Sequence, residues 1–132
     1  MKDAELIERA AALLWRCDHV RAAYLFGSRA EGTAVRSSDF DFAVLCRPAV
    51  DSRCYGEIQL DLLGQLLGEL RIDEIDLIVL NAVRSSELKF NVVQDGRLLF
   101  DKDQSIDAYE LRVRHEYWDH LSALRRAGLT EA

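Results

Sequence analysis

Proline is nearly missing from this chain. Pro48 is the only one, and no internal repeat, low-complexity tract or linker interrupts the 132 residues. That length without a break predicts one domain spanning residues 1–132. Cysteine is sparse too. Cys17, Cys46 and Cys54 form an odd set with no C-x-x-C spacing, which argues against a disulfide framework and against structural zinc. Buried, reduced thiols and a cytoplasmic location are expected instead. No apolar run reaches the roughly 18 to 20 residues that a membrane span needs. Residues 1–9 alternate charges without an apolar stretch, so no signal peptide is expected. A basic excess is lacking as well, because the net charge is -6 and the arginines are scattered. Proteins that hold nucleic acid usually show a basic face. Stable nucleic-acid binding is therefore not expected, and a nucleotide would need metal or local donors to be held.

What is present suits a globular core. The chain is 49% hydrophobic and 30% charged, and it is long enough to bury a core without disulfide staples. Leu6, Ile7, Ala10, Leu13, Leu14 and Cys17 recur at helical spacing over residues 3–17, with Asp3 placed as N-cap. Residues 21–26 end in an aromatic-rich strand, Tyr24-Leu25-Phe26, which Gly27-Ser28 interrupts. One or two helical turns over 28–32 and a polar loop over 33–38 follow, then a strand over 39–46. Residues 52–70 have helical periodicity, although Gly56, Gly64 and Gly68 weaken it by about 1 kcal/mol each relative to alanine. A third strand is predicted at 75–80, and a short helix at 85–93 capped by Ser85 or Ser86 and stopped near Gly96. An edge strand at 97–100 and a long helix at 104–127 complete the pattern, the helix carrying Ile106, Tyr109, Val113, Tyr117, Leu121 and Leu124 as one stripe. This alternation predicts an α/β (α+β) fold, a small mixed β-sheet flanked by helices with a long C-terminal helix.

Three aspartates sit where strands usually avoid them. Asp41 opens the apolar run Phe42-Ala43-Val44-Leu45, and Asp39 lies two residues earlier. Side chains at i and i+2 of a strand share a face, and at about 3.3 Å per residue they lie roughly 6 to 7 Å apart. Asp76 sits inside Ile75-Asp76-Leu77-Ile78-Val79-Leu80, on a surface expected to be largely buried. If the two strands are neighbours, three carboxylates meet. Such a cluster is electrostatically costly unless a cation is present, and Mg²⁺ prefers all-oxygen ligands. Each aspartate alone also has a plain structural reading, as a turn cap or a solvent-facing strand residue. Gly27-Ser28, between a strand and a helical turn, offers close backbone approach, free N–H groups and a hydroxyl to a phosphate. In isolation it is an ordinary turn.

Together, Gly27-Ser28-Arg29-Ala30-Glu31-Gly32, six intervening residues and Asp39-Phe40-Asp41 resemble the G-S-x-A-x-G…D-x-D signature of the DNA polymerase β-like nucleotidyltransferase superfamily. The short chain resembles its minimal (MNT) branch, and the likeness is densest over residues 21–46. The resemblance implies that Asp39 and Asp41 bind two Mg²⁺ ions and through them the triphosphate of ATP. Asp76 would complete the metal-binding set as third carboxylate and help activate the attacking hydroxyl. Gly27 and Ser28 would hold the β- and γ-phosphates, with Arg29 beside them, and pyrophosphate would leave as the hydroxyl attacks the α-phosphorus. In MNT proteins paired with a HEPN-domain toxin, the resemblance implies an antitoxin that transfers AMP from ATP to a tyrosine of that toxin. This chain departs from the pattern at Glu31, where a basic residue is common, and at Phe40 and Phe42, where aliphatic residues are usual. No appended acceptor-recognition domain is visible, so a partner surface or second subunit would supply the acceptor.

Arg29, Arg36 and Lys89 are candidates for neutralising phosphate charge, each with a solvated-surface alternative. His19, His115 and His120 lack metal-pair spacing. Leu111 and Trp118, seven residues apart and off the main stripe of the last helix, form a partner-binding patch if exposed, and a homodimer contact is a further option. Two other functions stay open: an antitoxin that inhibits by covering its partner without catalysis, and a small-molecule adenylyltransferase.

Overall fold

A computed structural model describes residues 2–27 and 39–129 of the chain. Helix α1 (Asp3–Trp15) leads into strand β1 (Val20–Phe26), and β2 (Phe40–Cys46) follows. A 3-10 turn (Ser52–Cys54) runs into α2 (Tyr55–Leu70). Then come β3 (Ile75–Val79), a second 3-10 turn (Leu80–Ala82), α3 (Ser86–Asp95), β4 (Arg97–Asp101) and α4 (Ile106–Arg126). The strands form one sheet in the order β3-β2-β1-β4. β1 is antiparallel to β2 and β4, while β2 and β3 run parallel. The expected mixed sheet with helices and a long last helix is what forms. The helical turns expected at 28–32 and the loop at 33–38 lie outside the described residues.

Period-2 burial explains how the sheet carries two layers of helix. Phe40, Phe42, Val44 and Cys46 of β2 pack with Leu13 and Leu14 of α1 and Leu62, Leu66 and Leu70 of α2. Ala43 and Leu45, from the alternate positions, pack with Val92 and Val93 of α3 and Ile106 and Val113 of α4. Because both faces are covered, β2 is apolar at nearly every position, as strands buried on both sides are. Phe40 and Phe42 are fully buried and their rings stack at 6.4 Å, so the two aromatic departures are absorbed by the α1–α2 layer. In α2 the buried residues recur every four positions, at Ile58, Leu62, Leu66 and Leu70. The three helix glycines face open space, with nothing within 4 Å of where a Cβ would be. Their cost is thus one of backbone entropy and touches no packing.

Several boundaries differ from the sequence expectation. Lys2, not Asp3, is the N-cap of α1, and Asp3 falls in the first turn, where its charge still complements the helix dipole. Leu80 leaves the third strand for a 3-10 turn. The thiols are not all buried: Cys46 is, Cys17 is half-buried and Cys54 is exposed, and all three are free. Ser85 caps α3, its side chain accepting from the Leu88 amide at 3.1 Å, and Gly96 follows the last helical residue. Among the described residues no helix is long and apolar enough to cross a membrane.

Gly96 is needed for space. Its φ of -75° suits any residue, but a Cβ there would run into the carbonyl oxygen of Val92. Gly96→Ala should therefore destabilise the fold by on the order of 1–3 kcal/mol, as overpacking does. Gly64→Ala should be neutral or slightly stabilising. Urea unfolding of the two variants against the parent chain checks both.

Candidate active site

The aspartates converge because β2 and β3 are parallel neighbours. Asp41 pairs with Asp76 in register, and on its other side Asp41 faces Phe26, the last residue of β1. Parity places all three on the sheet face covered by α3 and α4, at the end where β1 finishes and β2 and β3 begin. Asp39 lies one residue before β2 and is exposed, while the Phe40 amide that follows donates to the Glu74 carbonyl at 2.8 Å. The ladder therefore starts just after Asp39, and its side chain stands at the rim.

Burial differs across the three. Asp41 is half-buried, whereas Asp76 is exposed between the buried Ile75 and Leu77. The expectation that Asp76 lies on a largely buried surface is corrected here, because β3 is the sheet edge and its start is uncovered. One Asp76 oxygen, Oδ1, accepts from the Leu77 amide at 2.9 Å, which leaves Oδ2 for other partners. Burial, then the charges of Asp76 and Asp39, pushes the Asp41 carboxyl above its ordinary range. The smaller contributions to that shift, from Asp76 and Asp39, reflect like charges brought to one rim.

Gly27 closes the same corner. It has φ of +75°, in the left-handed region that glycine enters without penalty. A Cβ here would collide with the Asp41 carboxylate. Residue 27 is thus glycine for a reason that sequence reasoning did not see: it leaves room for an aspartate on the neighbouring strand β2. Ser28, Arg29 and Arg36 lie outside the described residues.

Among the described residues no three His, Cys, Asp or Glu side chains are drawn into a ready-made metal cage. The donors at the rim are all carboxylate oxygens, the hard ligands that Mg²⁺ takes, and this ion fills most of its shell with water and substrate phosphate. An open, mutually repelling set of carboxylates fits such an ion. Lys89 stands elsewhere: its ammonium donates to Glu116 at 2.9 Å, tying α3 to α4. Leu111 and Trp118 are both about half exposed, at 54% and 55%.

Comparison with known proteins adds a family. Residues 8–105 match the family described as Polymerase beta, Nucleotidyltransferase. The protein adenylyltransferase MntA of Shewanella oneidensis is 34% identical over 104 residues, a stretch covering 79% of this chain and 70% of that protein. A crystal structure of a toxin-antitoxin with AMP-PNP superposes with a TM-score of 0.73 at 30% identity, covering 92% of this chain and 93% of the other. A tri-AMPylated Shewanella oneidensis HEPN toxin in complex with MNT antitoxin gives a TM-score of 0.70 at 25% identity, covering 96% and 94%.

The raised Asp41 carboxyl has a thermodynamic consequence. Between the ordinary value of 3.8 and its higher folded value the native chain binds more protons than the unfolded one, so this group's contribution to stability falls as pH rises through that window. The penalty is full above the folded value and absent well below 3.8. In EDTA at neutral pH, Asp41→Asn should therefore melt a few degrees higher than the parent, with the gap closing toward acid pH. Added Mg²⁺ should raise the parent's Tm and leave the variant's unchanged. Thermal scans at several pH values, with and without Mg²⁺, test this.

Proposed function

The chain belongs to the polymerase beta nucleotidyltransferase family, and on that premise we propose that it is an MNT-type protein adenylyltransferase whose acceptor is a tyrosine of a HEPN-domain toxin. The transfer of AMP neutralises the toxin, so the protein acts as an antitoxin in the cytoplasm. The observation that carries this reading is the in-register pairing of Asp41 with Asp76 beside the Gly27 corner. The partner and the transferred group are suggested by the relatives, one an adenylyltransferase and another an MNT antitoxin with an AMPylated HEPN toxin.

In this reading residues 1–132 act as one minimal nucleotidyltransferase domain. Asp39, Asp41 and Asp76 hold Mg²⁺, two ions in the full complex. Bound there, the metal would supply positive charge to offset that of the triphosphate. Gly27 and Ser28, with Arg29, receive the β- and γ-phosphates of ATP, at the positions that follow β1 in the sequence. The free oxygen of Asp76 takes the proton of the incoming tyrosine hydroxyl. The tyrosine oxygen bonds to the α-phosphorus, the bond from that phosphorus to the bridging oxygen breaks, and pyrophosphate leaves. A second function has one observation in its favour: the exposed Leu111 and Trp118 on α4 suit an antitoxin that inhibits by covering its partner.

Incubation of the chain with Mg²⁺, α-labelled ATP and the HEPN protein should transfer label to that protein. Asp39→Asn and Asp41→Asn should reduce transfer to background while the complex still forms. Tyrosine-specific phosphodiester linkage is checked by mass spectrometry of the labelled partner. A variant that no longer transfers label yet still neutralises the toxin would favour inhibition by binding.

A further inference from the structure

At the far end of the same sheet face, about four residues along β2 or roughly 13 Å from Asp41 at ~3.3 Å per residue, lies a cavity of about 310 Å³ with a different chemistry. Arg21, Lys89 and Arg112 line it, against one acid, Glu116. Lys89 and Glu116 are paired with each other, so the surplus charge of the cavity comes from the two arginines. Arg112 is exposed and forms no ion pair among the described residues.

Two polar groups here are out of place. Among the described residues the Arg21 Nε and the Tyr109 hydroxyl are buried with no hydrogen-bond partner, as is the Asp101 Oδ1 of neighbouring β4, which lies outside the cavity lining. A buried donor left unpaired costs about 1–3 kcal/mol, and native folds leave few of them. Arg21 is held by another of its three guanidinium nitrogens, Nη2, which donates to the Ser105 hydroxyl at 2.9 Å and the Ser105 carbonyl at 3.3 Å. The β1–β2 register shifts between Val20 and Ala22, at Arg21 itself, and such irregularities re-aim side chains. Burial, and then Glu116, pushes the Tyr109 phenol up to about 12, so it remains an O–H donor at neutral pH. Leu45, Leu80 and Val113 give the cavity an apolar wall.

We propose that this cavity binds a small organic oxyanion, its head received by Arg21 Nε, the Tyr109 hydroxyl and Arg112, and its compact apolar body resting on Leu45, Leu80 and Val113. An oxyanion head accepts from both orphaned donors at once and balances the arginine charge, which a neutral ligand or a metal ion does not. The site is separate from the acid rim and stands whether or not that rim transfers AMP.

The test is calorimetry on the full chain in EDTA, which prevents phosphate binding through cations at the aspartates. Phenyl phosphate and benzoate serve as organic oxyanions and inorganic phosphate as the head alone. At least one organic probe should bind saturably and more tightly than inorganic phosphate, and the one that binds better identifies the head. Tyr109→Phe and Arg112→Ala should each weaken that binding by tenfold or more, while Asp41→Asn leaves it intact. Tyr109→Phe removes an unpaired hydroxyl and Arg112 is exposed, so both variants should fold, as far-UV circular dichroism verifies. The proposal is overturned if neither organic probe saturates, if binding survives both substitutions, or if Asp41→Asn abolishes it.

Discussion

Two like-charged side chains held in register across neighbouring strands are the constraint on which this molecule turns. The Asp41–Asp76 pairing of parallel β2 and β3 is unfavourable by itself, since like charges directly opposite destabilise a sheet. It persists because the rest of each strand is committed to the core. Phe42, Val44 and Cys46 are buried on one face, Ala43 and Leu45 on the other. A slip of one residue would turn every one of them to the wrong layer. The core therefore locks the register, and the register holds the carboxylates together.

The same logic explains why the acids stand at the rim and not deeper. Asp41 is half-buried, and that burial, then its neighbours' charges, raises its carboxyl, while Asp76 and Asp39 reach solvent. A fully buried trio would hold protons and lose affinity for a cation. At a sheet end the carboxylates of Asp39 and Asp76 stay exposed. Gly27 is part of this arrangement, because any side chain there would take the space of the Asp41 carboxylate. The protein thus trades stability for a charged corner, as functional sites commonly do.

The opposite end of the face has opposite chemistry. Arg21, Arg112 and the buried Tyr109 hydroxyl gather where β1 begins and α4 crosses it. One sheet face thus presents an acidic rim at one end and a basic cavity at the other, separated by the packed layer of Tyr24, Ala43, Leu45, Val92 and Val113. Tyr24 braces that layer: its hydroxyl donates to Glu110 of α4 at 2.6 Å. A strut of this kind ties the long helix to the sheet.

Local rules were enough for much of this. The alternation of apolar residues, the Ser85 cap, the Gly96 stop and the stripe on the last helix depend only on neighbours in the chain, and so does the Gly-Ser…Asp-x-Asp spacing that identified the family. What local rules could not supply was anything set by strands meeting across the sheet. That Asp76 lies beside Asp41, yet exposed at an edge, follows from strand order, and no residue near it in sequence records that order. Gly27 reads as a phosphate turn in one dimension and as space for Asp41 in three. That Arg21, Tyr109 and Arg112 share a cavity gave no signal, because 88 residues separate the strand residue from its helix neighbour Tyr109. Periodicity and capping are encoded within a few residues of chain. Which side chains share a cavity is decided by packing between segments far apart, and there only the folded sheet holds the answer.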